Sequence, residues 1–379
     1  MQLSFWERET YFSNLDVLVV GSGIVGLNAA LHLKTMQPQL KVMVVERGLL
    51  PTGASSKNAG FACFGSPSEL LEDLAHHSED AVFNLVERRW KGLQRLRHNL
   101  GDAAIDYHRW GGYELFDAHQ ADLYESCMER MPYLNKHLQS IVGEPGIYRS
   151  ADGKISTFGF KQVNHLIEST AEGQIDTGKM VLALTQKVQA LGILLLNGLE
   201  VQQLQEEDNY VVATTVQGIN IKARAALVAT NGFAQKLLPQ LSIVPARAQV
   251  LITKPIPGLR IKGTFHYNRG YYYFRNIGDR VLFGGGRNLD FETEETTDFG
   301  LTELVQQKLE ELLLEVILPD TPFEVEHRWS GIMGMGTEKT TIVQQVSERI
   351  SCAIRLSGMG IAIGSLVGEE GAELVLQQI

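Results

Sequence analysis

Two short runs, DVLVV at residues 16–20 and KVMVVE at residues 41–46, are apolar without alternation. Strands buried on both faces of a parallel sheet read this way, because neither face meets water. Between them IVGLNAALHLKTM places apolar residues at helical spacing. The three pieces predict one βαβ unit. Helical spacing returns at residues 69–100, 121–138, 177–192 and 302–316. Strands are predicted in GGYELFD, GFKQVNH, GILLLNGLEVQQLQ and NYVVATTVQGINIKARAALVATNG. VPARAQVLITKPI, RGYYYFRNIGDRVLFGGGR and FEVEHRWSGIMGM predict more of them, in a larger sheet. The βα grammar thus appears at both ends and in the middle, with strand-rich stretches between. Two interleaved domains follow: residues 14–65, 152–240 and 333–379 in one, residues 66–151 and 241–332 in the other.

The turn after the first strand is GSGIVG. Gly21 permits a tight turn, Gly23 lets backbone approach a pyrophosphate, and Gly26 lets helix and strand pack closely. Ile24 and Val25 open the helix, whose free N–H groups suit phosphate. An acid should close the second strand to accept ribose hydroxyls, and Glu46 stands there. It favours an unphosphorylated ribose, hence NAD or FAD. Arg47 beside it makes the ER pair more typical of FAD proteins. In the loop TGASSKNAG, Ser55, Ser56, Lys57 and Asn58 offer hydrogen bonds to a pyrophosphate and ribityl chain. Ala59 and Gly60 leave room for a flat ring.

VLVVGSGIVGLNAALHL, VVERG, GASSKNAGF, VPARAQV, ALVATNGF and HRWSGI follow one another in an order that resembles the FAD-dependent amino-acid and amine oxidoreductases. This superfamily includes glycine oxidase, sarcosine oxidase, D-amino-acid oxidase and glutamylputrescine oxidoreductase. The resemblance implies an α/β fold: an FAD-binding, Rossmann-like parallel-sheet domain interleaved with a substrate domain on a large mixed β-sheet. It adds Ala229, Thr230 and Gly232 of VATNG, with Val201 and Gly331, to the cofactor set. It also adds Gly358, Met359, Gly360 and Ile361, whose backbone amides at a helix start would face the pyrimidine side of the flavin. The positions of the family's covalent attachments hold no Cys or His, so noncovalent FAD is expected.

Relatives clamp a substrate carboxylate with an arginine at one of two places. This chain has Met333 at one, and Gly358 and Met359 at the other. Arg275, Arg328 and Arg247 are the possible substitutes. Arg275 comes first, because it lies two residues after Tyr273 and so shares its face. Tyr271 and Tyr273 of GYYYFR are substrate-orienting candidates, with Tyr272 on the opposite face. Leu282 stands where sarcosine-type oxidases carry the lysine that helps oxygen react.

A formal net charge of −10 over 379 residues argues against nucleic-acid or anionic-membrane binding. Cys63, Cys127 and Cys352 form no CxxC pair, which fits a reducing compartment and argues against a zinc site. His76, His77, His266 and His327 lack partners at metal-ligand spacing. The polar start has no signal-peptide core, and no apolar run reaches spanning length, so a cytoplasmic protein is expected. The leading expectation is oxidation of an amine or amino acid, with oxygen or another acceptor taking the electrons. A flavin dehydrogenase of a hydroxy acid feeding a quinone, and a non-enzymatic flavin-binding module, are the alternatives.

Overall fold

The computed structural model describes residues 2–379. Its first sheet has eight strands, six of them in the order Ile342–Gln345, Ile350–Ile354, Asn220–Val228, Leu15–Val20, Val42–Glu46 and Leu194–Asn197. Neighbours in that row are parallel except the first pair. Val201–Glu207 and Tyr210–Thr215 add an antiparallel meander beside Asn220–Val228. Val17 and Val19 share a core with the helices Ile24–Met36, Thr177–Ala190 and Gly360–Leu376, whereas Leu18 and Val20 share one with the meander. That double burial is why the central strand is apolar throughout.

The second sheet runs in the order Val325–Met335, Val244–Thr253, Arg280–Gly285, Tyr272–Ile277, Thr264–Tyr267, Gly112–Phe116, His165–Ser169 and Tyr148–Ser150. Thr264–Tyr267 and Gly112–Phe116 are parallel within an otherwise antiparallel ladder, so the sheet is mixed. One face packs Phe158, Phe160, Phe265, Phe274 and Phe283 with Val305 and Leu309 of the helix Glu303–Leu312. On the other, Val250, Leu282, Tyr273 and Trp329 meet Ala59 and Phe61 of the cofactor loop. The expected site therefore lies where the two sheets face each other.

Several expectations need correction. His165–Ser169 pairs with Gly112–Phe116, and Phe158 and Phe160 sit in the second core, so a return to the first domain at residue 152 is too early. The chain crosses back near Gly173–Gln174, which pairs with Phe61–Ala62. Val325–Met335 also carries the second sheet past residue 333. The helix Glu79–Leu100, expected in the second domain, serves both: Val82, Phe83 and Val86 pack with Phe116 and Ile167 of the second sheet, and Leu93 and Leu96 enter the core of the first. Periodicity specifies which face of an element is buried, but pairing decides which sheet buries it. Of GFKQVNH, only His165 lies in a strand. Among the described residues no helix is long and apolar enough to cross a membrane.

Candidate functional site

Gly21 has φ +108°, a region that L side chains rarely enter. A Cβ on Gly26 would fall 1.9 Å from the Gly21 carbonyl oxygen, so this glycine is what seats the helix on the strand. Gly23 is the N-cap of Ile24–Met36, and a Cβ there would lie 2.9 Å from Ser55 Oγ. The Ile24 N–H donates to that oxygen at 2.8 Å, while the N–H groups of Val25 and Gly26 have no acceptor within the helix. The cofactor loop thus leans directly on the helix start. Ser55 keeps its hydroxyl proton to donate.

Glu46 is buried and fully engaged. One carboxylate oxygen accepts from Ser22 N–H at 3.2 Å and Ser22 Oγ at 3.0 Å. The other accepts from Gly48 N–H at 3.0 Å and Thr52 Oγ1 at 3.1 Å. Four donors match the four acceptor sites of a carboxylate. Gly48 and Thr52 also line a cavity of about 430 Å³ with Arg47, Glu200, Thr297, Asp298 and Phe299. Arg47 stacks on Phe233, its guanidinium 3.8 Å from the ring centroid. Val201 is buried in the core under the meander, next in sequence to the cavity-lining Glu200.

Inside the loop, polar groups expected to meet a ligand instead shape the backbone. Ser56 Oγ donates to the Pro51 carbonyl at 2.6 Å. Asn58 donates to the carbonyls of Ala54 and Ser55 and accepts the Gly60 N–H at 2.7 Å. The Lys57 carbonyl accepts the Trp329 indole N–H at 2.9 Å, and a Cβ on Gly331 would lie 3.0 Å from Lys57 Cβ. Gly232 is correspondingly a packing residue: a Cβ there would sit 2.5 Å from the Met333 carbonyl oxygen.

Other groups are left open. The Ala229 carbonyl abuts Gly21, and beside it Thr230 Oγ1 is buried without a partner, as is Ser357 Oγ. Gly358 has φ +81°, Met359 caps the C-terminal helix, and Gly360 and Ile361 begin it. The glycine cradle, the two orphaned hydroxyls and the open amides fit an elongated dinucleotide.

A cavity of about 390 Å³ lies between the cofactor loop and the second sheet, lined by Asn58, Trp110, Gln174, Arg275, Leu282 and Trp329 among others. Arg275 is 5% exposed, its Nε has no hydrogen-bond partner, and among the described residues no carboxylate is in ion-pair contact with it, although Asp106 and Asp176 line the same cavity. Burial lowers its pKa to about 10, against the weaker pull of Asp176 and Asp106. Gly60, with φ +73°, makes room for it: a Cβ there would sit 3.0 Å from Arg275 Nη2. Tyr273 lies across Gly284, where a Cβ would come within 2.7 Å of its ring, and burial pushes its hydroxyl up to about 12.

The remaining substrate candidates are placed elsewhere. Arg328 donates to Gln306 and Glu310, each at 2.6 Å. Arg247 is held by Glu294 at 2.8 and 3.0 Å. Both arginines are thereby committed to structural carboxylates. Tyr271 is 40% exposed and packs on Phe291, and Tyr272 belongs to the aromatic core. Met333 and Gly358 are neighbours, with Met333 Sδ 3.7 Å from where a Gly358 Cβ would be. The two usual clamp positions therefore converge on one uncharged spot. Sequence reasoning missed Trp110 and Gln174, which no spacing marks, and Trp329, although HRWSGI contains it.

Behind the loop, Glu172 accepts from the N–H groups of Phe64 and Gly65, and burial pushes it up to about 8. Glu114 accepts from the Ser68 N–H and hydroxyl, and burial raises it to about 7. All three cysteines are buried and free, and the described residues contain no cluster suited to a metal.

A glycine-turn parallel sheet joined to a mixed sheet, with a cavity lined by Arg275, Asp106 and Asp176 beside the loop, fits a dinucleotide-dependent enzyme. The profile described as "FAD dependent oxidoreductase" matches residues 16–374, and the chain belongs to that family of enzymes. It is 22% identical over 384 residues to "Probable oxidoreductase OrdL" of Haemophilus influenzae, covering 97% of this chain and 84% of the relative. It is 23% identical over 378 residues to the gamma-glutamylputrescine oxidoreductase of Escherichia coli, covering 95% and 83%. The crystal structure of a glycine oxidase from Bacillus cereus superposes with a TM-score of 0.76 at 17% identity, over 96% of this chain and 98% of that one.

Proposed function

We propose that this enzyme oxidises the C–N bond of a carboxylate-bearing amine, an amino acid or N-substituted amino acid larger than glycine, to an imine that water then hydrolyses. The observation that carries this reading is Arg275, a buried guanidinium that no carboxylate touches, in a cavity beside the cofactor loop whose far lining holds Asp106 and Asp176. A guanidinium left dry and unpaired is costly unless a ligand completes it. A carboxylate does so with two parallel hydrogen bonds.

FAD, held noncovalently, supplies the hydride acceptor. Gly21, Gly23, Ser55 and Thr230 would hold its pyrophosphate region, Glu46 and Arg47 its adenosine, and the start of the C-terminal helix its ring. Arg275 fixes the substrate by its carboxylate, which leaves the amine-bearing carbon to be aimed by the walls of the cavity. Trp110, Trp329, Ile277 and Leu282 form those walls. They exclude water and give apolar surface to a chain or N-substituent, for which glycine has no counterpart. No acid/base pair is needed if the amine binds unprotonated. Leu282 puts an apolar side chain in the cavity where a lysine would assist oxygen, so oxygen is a slow acceptor beside a quinone or dye.

Anaerobic mixing with a panel of amines tests the reading through flavin absorbance. N-alkyl and larger amino acids should bleach the flavin, while glycine and the decarboxylated analogues should be slow. An amine without a carboxylate that reduces the flavin as fast as its parent acid would sink it. Acid should release the flavin to the supernatant; colour retained by the precipitate would overturn noncovalent attachment.

A further inference from the structure

Phe299 is 44% exposed although its ring touches the cofactor side of the molecule. It belongs to residues 295–300, which link the short helix Phe291–Glu294 to Glu303–Leu312 of the substrate domain. Both ends of this link are tied to the second sheet. Glu294 is held by Arg247, by Gln249 Nε2 at 2.8 Å and by Thr302 Oγ1 at 3.1 Å. The Gly300 N–H donates to Ser330 Oγ at 2.9 Å, and the Thr302 N–H to Gln249 Oε1 at 3.0 Å. The middle reaches across to the cofactor domain. There the Phe299 ring stands 6.2 Å from Phe233 and 5.1 Å from Lys57 Nζ.

We infer that residues 297–299 form a clasp from the substrate domain that closes over the adenosine half of FAD. The cavity of about 430 Å³ has Arg47, Gly48, Thr52 and Glu200 as one wall and Thr297, Asp298 and Phe299 as the other. It opens beside Glu46, since Gly48 and Thr52 both line it and both donate to that carboxylate. Stacked Arg47 and Phe233, with Phe299 next to Phe233, provide the flat surfaces that a purine ring takes. Thr52, Thr297 and Asp298 supply polar edges for ring nitrogens and an exocyclic amine. The clasp accounts for a half-exposed phenylalanine in an otherwise polar link, because the adenosine covers it. It also ties cofactor retention to the substrate domain through the Glu294–Arg247 pair.

The inference rests on adenosine lying at Glu46, and the test separates the two. Apoprotein of wild type, Phe299→Ala, Phe299→Tyr, Phe291→Ala and Glu46→Ala is titrated with FAD and with FMN, which lacks adenosine. Loss of one stacking surface should weaken FAD about tenfold in Phe299→Ala and leave FMN unchanged. Phe299→Tyr should retain FAD affinity, and Phe291→Ala, at an exposed position on the short helix before the link, should match wild type. Glu46→Ala should discriminate between the cofactors as Phe299→Ala does. If Glu46→Ala discriminates while Phe299→Ala weakens both equally or neither, the clasp is wrong. If Glu46→Ala weakens both equally, the adenosine placement falls and the clasp with it.

Discussion

The two ends of the proposed cofactor path are built on opposite electrostatic plans. At Glu46 every acceptor site of the carboxylate is filled by Ser22, Gly48 and Thr52. At Arg275, by contrast, a buried cation touches no carboxylate, and Asp106 and Asp176 in the same cavity offset only part of its desolvation cost. The filled end is preorganised, and in the proposed placement a ribose hydroxyl would have to replace one of its four donors. The open end holds unspent charge that only a ligand of opposite sign relieves. A cofactor that stays bound suits the first plan and a substrate that comes and goes suits the second.

The comparison breaks most violently at the glycine turn that supports the filled end. Gly26→Ala places a Cβ 1.9 Å from the Gly21 carbonyl oxygen. Since the clash is with backbone, a cost of about 3 kcal/mol or more is expected. Purified protein should be colourless, and a normal flavin spectrum would show that helix and strand can separate. Gly23→Val should also lose flavin, because its side chain meets Ser55 where the loop leans on the helix.

Arg275→Met tests the open end. Substrate affinity and turnover should move one way and stability the other. Removing the partner of a buried carboxylate costs roughly 3–5 kcal/mol, so kcat/KM for carboxylate substrates should fall by about two to four orders of magnitude. Meanwhile the unliganded protein should melt higher, because an unpaired desolvated charge has gone. The sign follows from the lowered pKa of about 10: burial disfavours the charged form, so the stability cost is present at every pH below that value. A lower melting temperature in the variant would mean that Arg275 has a structural counter-charge after all.

Glu46→Ala should cost the filled end one charge-assisted hydrogen bond of about 1.5–3 kcal/mol, hence a ten- to hundred-fold loss in FAD affinity. Glu46→Gln, which keeps an oxygen for Ser22 or Thr52, should lose less. Equal losses in the two variants would assign the whole effect to the collapsed turn.

The smallest effect is a pH dependence of melting. Glu172 and Glu114 are raised by burial to about 8 and about 7. Raised carboxyls stabilise fully below the ordinary carboxylate range, and that contribution is lost as pH climbs through 7 and 8. Melting temperature should therefore decline from pH 5 to 9, and Glu172→Gln, which can still accept from Phe64 and Gly65, should flatten the upper part. A wild-type curve that is level across this range would contradict it.

Local pattern determined much by itself. The unbroken apolar strands, the glycine turn and Glu46 were legible because each needs only neighbours within about thirty residues. Strand parity also put Arg275 on the face of Tyr273, which made it the first candidate for a substrate carboxylate. Arg247 and Arg328 were equal candidates at that level, since a lone arginine reads the same whether or not a carboxylate awaits it. Only the tertiary structure tells their partners apart. It brought Glu294 to Arg247 and Glu310 to Arg328, and brought none to Arg275. The domain borders followed the same rule, because strand pairing across more than fifty residues put His165–Ser169 in the second sheet. Phe299 had no local signal at all, for its meaning lies in facing Phe233 from another domain. Periodicity encodes which side of an element is dry, whereas partner choice depends on contacts distant in sequence, and those exist only once the chain has folded.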